Sequence, residues 1–192
     1  MAEEMPKRSG LVTPANLLTF SRLILLPVVI VGIVTGHGYV TVVAMVVIWV
    51  TDLLDGRIAR RLGQAGAFGR TLDSTVDFVL IYSLFITFYA AGRLASYQFA
   101  VLYLAMLTIL ALQFAQMASG RGEAAATALG KVTGALEYGY LLFLVAREVI
   151  RPSPMLATLN ATFFSVLALA IVLNSALCIA SVCRSARAVK NG

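Results

Sequence analysis

The chain has 192 residues, of which 60% are hydrophobic and 12% are charged, and its formal net charge is +6. Soluble domains carry about 25% charged residues, so the composition excludes an ordinary soluble protein and predicts an integral membrane protein with one domain. The basic residues flank apolar runs, which favours membrane-orienting charge over a surface that binds nucleic acid.

Six apolar segments are each long enough to cross a bilayer core of about 30 Å as a helix. We expect these helices at residues 16–35, 39–60, 72–91, 97–117, 129–146 and 155–183. Thr13 and Pro14 suit the start of the first helix, as an N-cap hydroxyl followed by a proline at the first helical position. Tight turns are expected at Gly36-His37-Gly38 and Ala91-Gly92-Arg93.

The predicted fold class is therefore an all-α integral membrane protein with six transmembrane helices. We expect a cytoplasmic or interfacial segment at residues 1–15, a six-helix membrane domain at residues 16–185 and a cytoplasmic tail at residues 186–192. No removable signal peptide is apparent at the N-terminus.

The distribution of lysine and arginine predicts the orientation of the helices. With both termini on one side, the other side receives only Arg93, Arg147 and Arg151. Basic residues accumulate on the cytoplasmic side of membrane proteins, so the richer side is expected to be cytoplasmic. Twelve residues lie there: Lys7, Arg8, Arg22, Arg57, Arg60, Arg61, Arg70, Arg121, Lys131, Arg184, Arg187 and Lys190.

Four aspartates stand at the edge of the second and third apolar segments. A carboxylate at membrane depth costs roughly 2.5 kcal/mol or more, so it is rare unless it serves a pathway or a site. The spacings place the acids and several small residues on one face of each helix, and two helices joined by a short loop are antiparallel neighbours. The pattern reads Asp52-x2-Asp55-Gly56-x2-Ala59-Arg60, then eight residues, then Gly69-x3-Asp73-x3-Asp77.

Divalent cations would relieve the repulsion among four carboxylates that face one cavity. Hard oxygen ligands suit Mg²⁺, Mn²⁺ or Ca²⁺, and the segment holds no His or Cys that would favour zinc. Two such ions about 4 Å apart are a recurrent arrangement for displacement at phosphorus, and Mg²⁺ readily shares its coordination with substrate phosphates. Small residues on the acidic face leave room for a ligand, although they also suit close helix packing.

This motif resembles the signature of the CDP-alcohol phosphotransferases, and the chain matches all eight fixed positions. The resemblance extends to a six-helix chain of this size and to the stretch Asn16-Leu-Leu-Thr19-Phe-Ser-Arg22. It implies transfer of the phosphatidyl group from CDP-diacylglycerol to an alcohol, with release of CMP.

The resemblance also implies roles for individual residues and a dependence on two divalent cations, Mg²⁺ or Mn²⁺. Asp77 is the expected general base. The expected metal ligands are Asp52, Asp55, Asp73 and Asp77, and the residues expected to bind the CDP moiety are Asp52, Asp55, Gly56, Ala59, Arg60, Gly69 and Asp73.

The acceptor alcohol is expected to be glycerol 3-phosphate. The chain is most similar to phosphatidylglycerophosphate synthases in its size, in the Asn16 to Arg22 stretch and in Gly130-Lys131-Val132-Thr133. Phe78, however, stands where those enzymes often have a lysine. Inositol phosphate is the alternative, because residues 67–77 also resemble the enzymes that use it. The cations available for an acceptor phosphate in either case are Arg70, Arg121 and Lys131.

A divalent-cation transporter would also carry acids in membrane helices, but it would need a polar path that reaches both faces. The four aspartates cluster toward one side, which favours an enzyme. We further expect Glu137 to face the bundle interior. The family resemblance implies a homodimer. The expected location is a bacterial inner or cell membrane, with the active site facing the cytoplasm.

Overall fold

The computed structural model describes the backbone of residues 14–61, 67–119 and 128–190, and the side chains of residues 19–52, 54, 73–111 and 129–180. Within these ranges the chain forms six α-helices and no strand, which confirms the all-α prediction. Each predicted segment coincides with one helix; the largest differences are an earlier start of α3 and a later end of α6. The helices are α1 (Pro14–Thr35), α2 (Gly38–Arg61), α3 (Ala67–Ala90), α4 (Ser96–Ser119), α5 (Ala128–Arg147) and α6 (Pro154–Lys190).

The helix ends follow from local sequence. Gly36 and Gly92 adopt φ values of 73° and 70°, a left-handed conformation that closes a helix without the steric cost of a Cβ. The amide of Arg93 then donates to the carbonyl of Phe88 at 2.8 Å, which satisfies a carbonyl at the end of α3. At the start of α6 the hydroxyl of Ser153 accepts a hydrogen bond from the amide of Leu156, as an N-cap does.

Three helices are long and apolar enough to cross a membrane within the part of the chain that is described: Asp73–Ala90, Leu129–Arg147 and Pro154–Ala180. The described apolar parts of α1, α2 and α4 are shorter, at Thr19–Thr35, Gly38–Asp52 and Ser96–Ala111. Large apolar side chains such as Ile24, Val43 and Leu169 are more than 60% exposed. Such an apolar surface suits contact with lipid.

The chain divides into two compact units, Met1–Leu84 and Phe85–Gly192. In the first unit α1 packs against α2. Gly32 allows the close approach, because a Cβ at this position would lie 2.5 Å from the Oγ1 atom of Thr41 and 3.2 Å from its amide nitrogen. Thr41 itself is fully buried.

In the second unit α6 packs against both α4 and α5. Its core is centred on Tyr140, whose ring is fully buried and packs edge-on against Phe163 at a centroid distance of 5.5 Å. The Tyr140 hydroxyl donates to the side-chain oxygen of Asn160 at 3.1 Å and accepts from the amide group of Gln98 at 3.2 Å. Three helices are therefore joined through one buried hydroxyl, which satisfies polar atoms that would be costly to leave alone in an apolar core.

Charged residues are also paired in this unit. Arg93, in the turn after α3, forms an ion pair with Glu148, whose side chain is only 5% exposed. Glu137 is buried in α5, as predicted from its position in the apolar part of that helix. The description of residues 16–185 as one membrane domain stays a prediction.

Candidate functional site

Three helices of the first unit, α1, α2 and α3, each have a stripe of buried residues. Each stripe includes or ends at charged residues, and these charged residues lie near one another. On α1 the buried positions Thr19, Arg22, Leu26 and Val29 recur at steps of three or four residues, so the arginine belongs to the packed face of this helix. On α2 the buried stripe through Thr41, Met45 and Ile48 reaches Asp52 one turn later.

On α3 a stripe with the same spacing begins with the acids. Asp73 and Asp77 precede the buried residues Leu80 and Leu84, at successive steps of three or four residues. The apolar parts of the stripes pack in the core and fix the rotation of each helix. Asp52 of α2 and the two aspartates of α3 are therefore directed to the same place.

The guanidinium of Arg22 lies between three carboxylates. Its Nη1 atom is 2.8 Å from Oδ1 of Asp52 and 2.5 Å from Oδ1 of Asp77, and its Nη2 atom is 2.6 Å from Oδ1 of Asp73. The arginine side chain is 1% exposed, whereas the three carboxylates are 34%, 45% and 41% exposed for Asp52, Asp73 and Asp77. The cation is thus buried, while the acids remain accessible from outside.

The formal charges of the four side chains just described are unequal. Among these four side chains, three carboxylates face one guanidinium, so two formal negative charges remain. Ionised carboxylates this close repel one another, and a cation from solution would reduce that repulsion. The arrangement favours a ligand that brings positive charge.

The same carboxylates fit a divalent metal ion. Asp52, Asp73 and Asp77 each offer an oxygen, and these oxygens all lie within 4.8 Å of one another. An all-oxygen donor set of accessible carboxylates is what Mg²⁺, Mn²⁺ and Ca²⁺ use, and accessibility leaves room for substrate oxygens to complete the coordination.

The structure thus brings together three of the four aspartates that the sequence pattern singled out. Asp55, Gly56, Ala59 and Arg60 lie on α2, and Gly69 and Arg70 lie on α3, but their side chains lie outside the described residues, as does all of Arg121. Lys131 belongs to the second unit and is exposed in the first turn of α5. The roles assigned to all these residues stay predictions.

Arg22 is the residue of the cluster that the sequence reasoning did not assign to the site. The distribution of basic residues predicts that Arg22 is a positive charge of the cytoplasmic boundary, but its side chain is buried beside the aspartates rather than solvated. A signal was present in the sequence, because Arg22 is the only charged residue of α1. A lone charge in an apolar membrane helix normally has a partner on another helix.

Comparison with known proteins identifies relatives of the chain. Residues 12–174 match the sequence profile of a family described as CDP-alcohol phosphatidyltransferase. A protein of Drosophila melanogaster named "Probable cardiolipin synthase (CMP-forming)" is 40% identical over 82 residues, which are 42% of this chain and 26% of that protein.

Two bacterial relatives are similar over segments of the same size. A protein of Mycobacterium tuberculosis (strain ATCC 25618 / H37Rv) named "Probable phosphatidylglycerophosphate synthase" is 35% identical over 94 residues, or 45% of this chain and 44% of that protein. A "CDP-diacylglycerol--glycerol-3-phosphate 3-phosphatidyltransferase" of Aquifex aeolicus (strain VF5) is 35% identical over 81 residues, or 41% of this chain and 46% of that protein. The chain spans less than half the length of each of these relatives.

Proposed function

Because the chain belongs to the CDP-alcohol phosphatidyltransferase family, we propose that it transfers the phosphatidyl group of CDP-diacylglycerol to an alcohol and releases CMP. The acceptor in this proposal is glycerol 3-phosphate, and the product is phosphatidylglycerophosphate, a step of phospholipid biosynthesis. The observation that carries the proposal is the convergence of Asp52, Asp73 and Asp77 on one accessible cluster, at positions that match the family motif.

In this reaction a new bond forms between the acceptor oxygen and the phosphorus of the phosphatidyl group. The bond from that phosphorus to the oxygen that bridges the two phosphates breaks, and CMP leaves with the bridging oxygen and its electron pair. The proton of the attacking hydroxyl passes to the carboxylate of Asp77, which is accessible enough to receive it. A positioned general base of this kind contributes roughly 10²–10⁴-fold to a rate.

The carboxylates of Asp52, Asp55, Asp73 and Asp77 are the proposed ligands of two divalent cations, Mg²⁺ or Mn²⁺. When bound, these ions would neutralise the diphosphate and stabilise the charge that develops on the leaving oxygen. Gly56, Ala59 and Gly69 would leave space for the cytidine diphosphate, and Arg60 would bind one of its phosphates. Asp52 and Asp73 would keep the donor phosphates in position for attack.

The proposal includes the membrane arrangement. All six helices are proposed to cross the bilayer, with both termini and the aspartate cluster on the cytoplasmic side. The diacylglycerol tails would stay in lipid while the nucleotide enters the cavity. We also propose a homodimer in a bacterial inner or cell membrane.

The direct test is Mg²⁺-dependent CMP release by the purified protein with CDP-diacylglycerol and one acceptor at a time. We expect release with glycerol 3-phosphate and none with inositol, inositol phosphate or serine. CMP release with inositol phosphate alone would make inositol phosphate the acceptor in place of glycerol 3-phosphate. If folded protein releases no CMP with any acceptor, the proposed reaction is contradicted.

One of the relatives suggests phosphatidylglycerol as a second candidate acceptor. The Drosophila melanogaster relative is named for a cardiolipin-forming reaction and has the highest of the identities given above, 40% over 82 residues. Phosphatidylglycerol is therefore added as an acceptor in the same assay. Turnover with phosphatidylglycerol but not with glycerol 3-phosphate would favour cardiolipin formation over phosphatidylglycerophosphate formation.

The proposed role of Lys131 can be tested separately. If its ammonium group binds the acceptor phosphate, Lys131→Ala should raise the KM for glycerol 3-phosphate roughly 10–100-fold, since hydrogen bonds to charged groups contribute about 1.5–3 kcal/mol. The KM for CDP-diacylglycerol should change little, and Lys131→Arg should retain most of the acceptor affinity. Arg151→Ala, which removes an exposed cation beyond the other end of α5, is the matched control. Equal effects on both substrates would argue for a structural role of Lys131.

A further inference from the structure

Arg22 occupies the position in which a bound cation is expected. Its guanidinium contacts all three described carboxylates of the candidate metal cluster, at 2.5–2.8 Å. The side chain is 1% exposed and projects from a helix whose other residues from Pro14 to Thr35 are all uncharged. The contacts join α1 to two other helices, α2 and α3, so this is not a local surface ion pair.

The burial of the Arg22 guanidinium makes its ion pairs with the aspartates important. Burial of a charge in an apolar environment is unfavourable unless ion pairs and hydrogen bonds compensate for the lost hydration. The other residues on the buried stripe of α1, Thr19, Leu26 and Val29, carry no charge. Arg22 is therefore held at the carboxylates, and the carboxylates are held near one another by Arg22.

A divalent ion and the guanidinium would compete for the same carboxylates. An ion of the Mg²⁺ type lies about 2.0–2.1 Å from its oxygen ligands. The oxygens available from the three aspartates lie within 4.8 Å of one another, so an ion among them would be close to the guanidinium. Two cations in so small a volume repel each other strongly, especially where water is partly excluded.

This inference rests on the proposed metal-dependent function. We propose that Arg22 is a built-in counter-cation, which holds Asp52, Asp73 and Asp77 together in the metal-free protein and competes with the divalent ion for them. Metal binding then includes the partial displacement of an internal cation, so Arg22 lowers the metal affinity. The same residue stabilises the protein when no metal is bound.

The test measures metal binding without substrate. Purified wild-type protein, Arg22→Met and Arg22→Lys are titrated with Mn²⁺ after chelation with EDTA. Free Mn²⁺ is followed by electron paramagnetic resonance, and the thermal unfolding midpoint is followed in parallel. Methionine removes the charge but keeps a long apolar side chain, whereas lysine keeps the charge as a compact point without the planar fork of arginine.

For Arg22→Met we expect a lower unfolding midpoint than wild type in EDTA and a larger rise of the midpoint with Mn²⁺, because a ligand stabilises the state it binds. The Mn²⁺ concentration at half-saturation should fall at least tenfold. Arg22→Lys should stay closer to wild type. Arg22→Gln is neutral but still polar, and it serves for the same comparison if the methionine variant does not fold.

The matched control is Arg93→Met, which removes the arginine of the Arg93–Glu148 ion pair in the second unit. It should lower the unfolding midpoint in EDTA and in Mn²⁺ alike, without changing the half-saturating concentration. An unchanged or higher half-saturating concentration in both neutral variants at position 22 would overturn the proposal. Tighter binding in those variants without CMP release by the wild type would support the counter-cation and contradict the proposed reaction. If the wild type releases CMP but the neutral variants at position 22 bind Mn²⁺ as the wild type does, the proposed reaction is supported and the counter-cation role is contradicted.

Discussion

Asp77→Asn is expected to lower CMP release by roughly 10²–10⁴-fold, which is the usual contribution of a positioned general base. Asparagine has nearly the same shape as aspartate, but its amide does not accept the proton of the attacking hydroxyl. The side chain of Asp77 is 41% exposed, so an acceptor can approach it. Donor binding should be largely retained, because Asp52, Asp55 and Asp73 remain.

The two effects are separated by measuring turnover and donor binding on the same preparation. Stabilisation of the protein by CDP-diacylglycerol against thermal unfolding reports binding, and CMP release reports turnover. Ser74→Ala, an exposed position on the same helix, is the control and should leave both unchanged. Turnover near the wild-type rate in Asp77→Asn would remove Asp77 from the role of base. Loss of donor binding along with turnover would assign it to the binding of the donor instead.

Gly32→Leu is expected to disrupt the packing of α1 against α2. A Cβ at position 32 would already lie 2.5 Å from Oγ1 of Thr41 and 3.2 Å from its amide nitrogen. Backbone cannot rotate away as a side chain can, so the two helices would have to move apart. Overpacking of this kind typically costs about 1–3 kcal/mol and occasionally more, and leucine at this contact should exceed the cost of alanine.

Thermal unfolding in detergent micelles, followed by circular dichroism, measures this effect. Gly134→Leu is the matched control, because a Cβ at position 134 would have no atom within 4 Å. A double-mutant cycle sharpens the comparison. Thr41→Ala removes the nearest atom, so the combination of Gly32→Ala with Thr41→Ala should cost less than the sum of the single changes. Equal midpoints for Gly32→Leu and Gly134→Leu would show that the contact at position 32 does not limit packing.

The helices and three of the acids could be predicted from the sequence because the signals are local. Apolar runs of about 20 residues predict where helices lie, and Gly36 and Gly92 mark two ends by supplying the left-handed conformation. The helical spacing of Asp73 and Asp77 predicts one face, and it is the face that meets Asp52. These patterns require no knowledge of how distant segments pair.

The contacts that could not be predicted are between residues far apart in the sequence, and they depend on how the helices pack. Arg22 and Asp77 are 55 positions apart, as are Arg93 and Glu148. Positive charges near helix ends are usually explained by membrane orientation, so a count of lysines and arginines treats Arg22 and Arg93 alike as boundary charges. The burial that distinguishes Arg22 arises only once three helices have packed. Likewise, nothing in the sequence near Tyr140 indicates that its hydroxyl joins Gln98 to Asn160.

The burial of Arg22 has a consequence for biogenesis. The acids that pair with Arg22 are synthesised 30, 51 and 55 residues after it, as Asp52, Asp73 and Asp77. If α1 crosses the bilayer, as proposed above, Arg22 makes insertion of this helix by itself unfavourable, because an arginine at the centre of a membrane helix costs roughly 2.5–3.5 kcal/mol on scales from translocon experiments. We therefore expect the guanidinium to stay near headgroups or water until α2 and α3 have been inserted. In that case the first three helices reach their final arrangement together, and α3 completes the docking of α1.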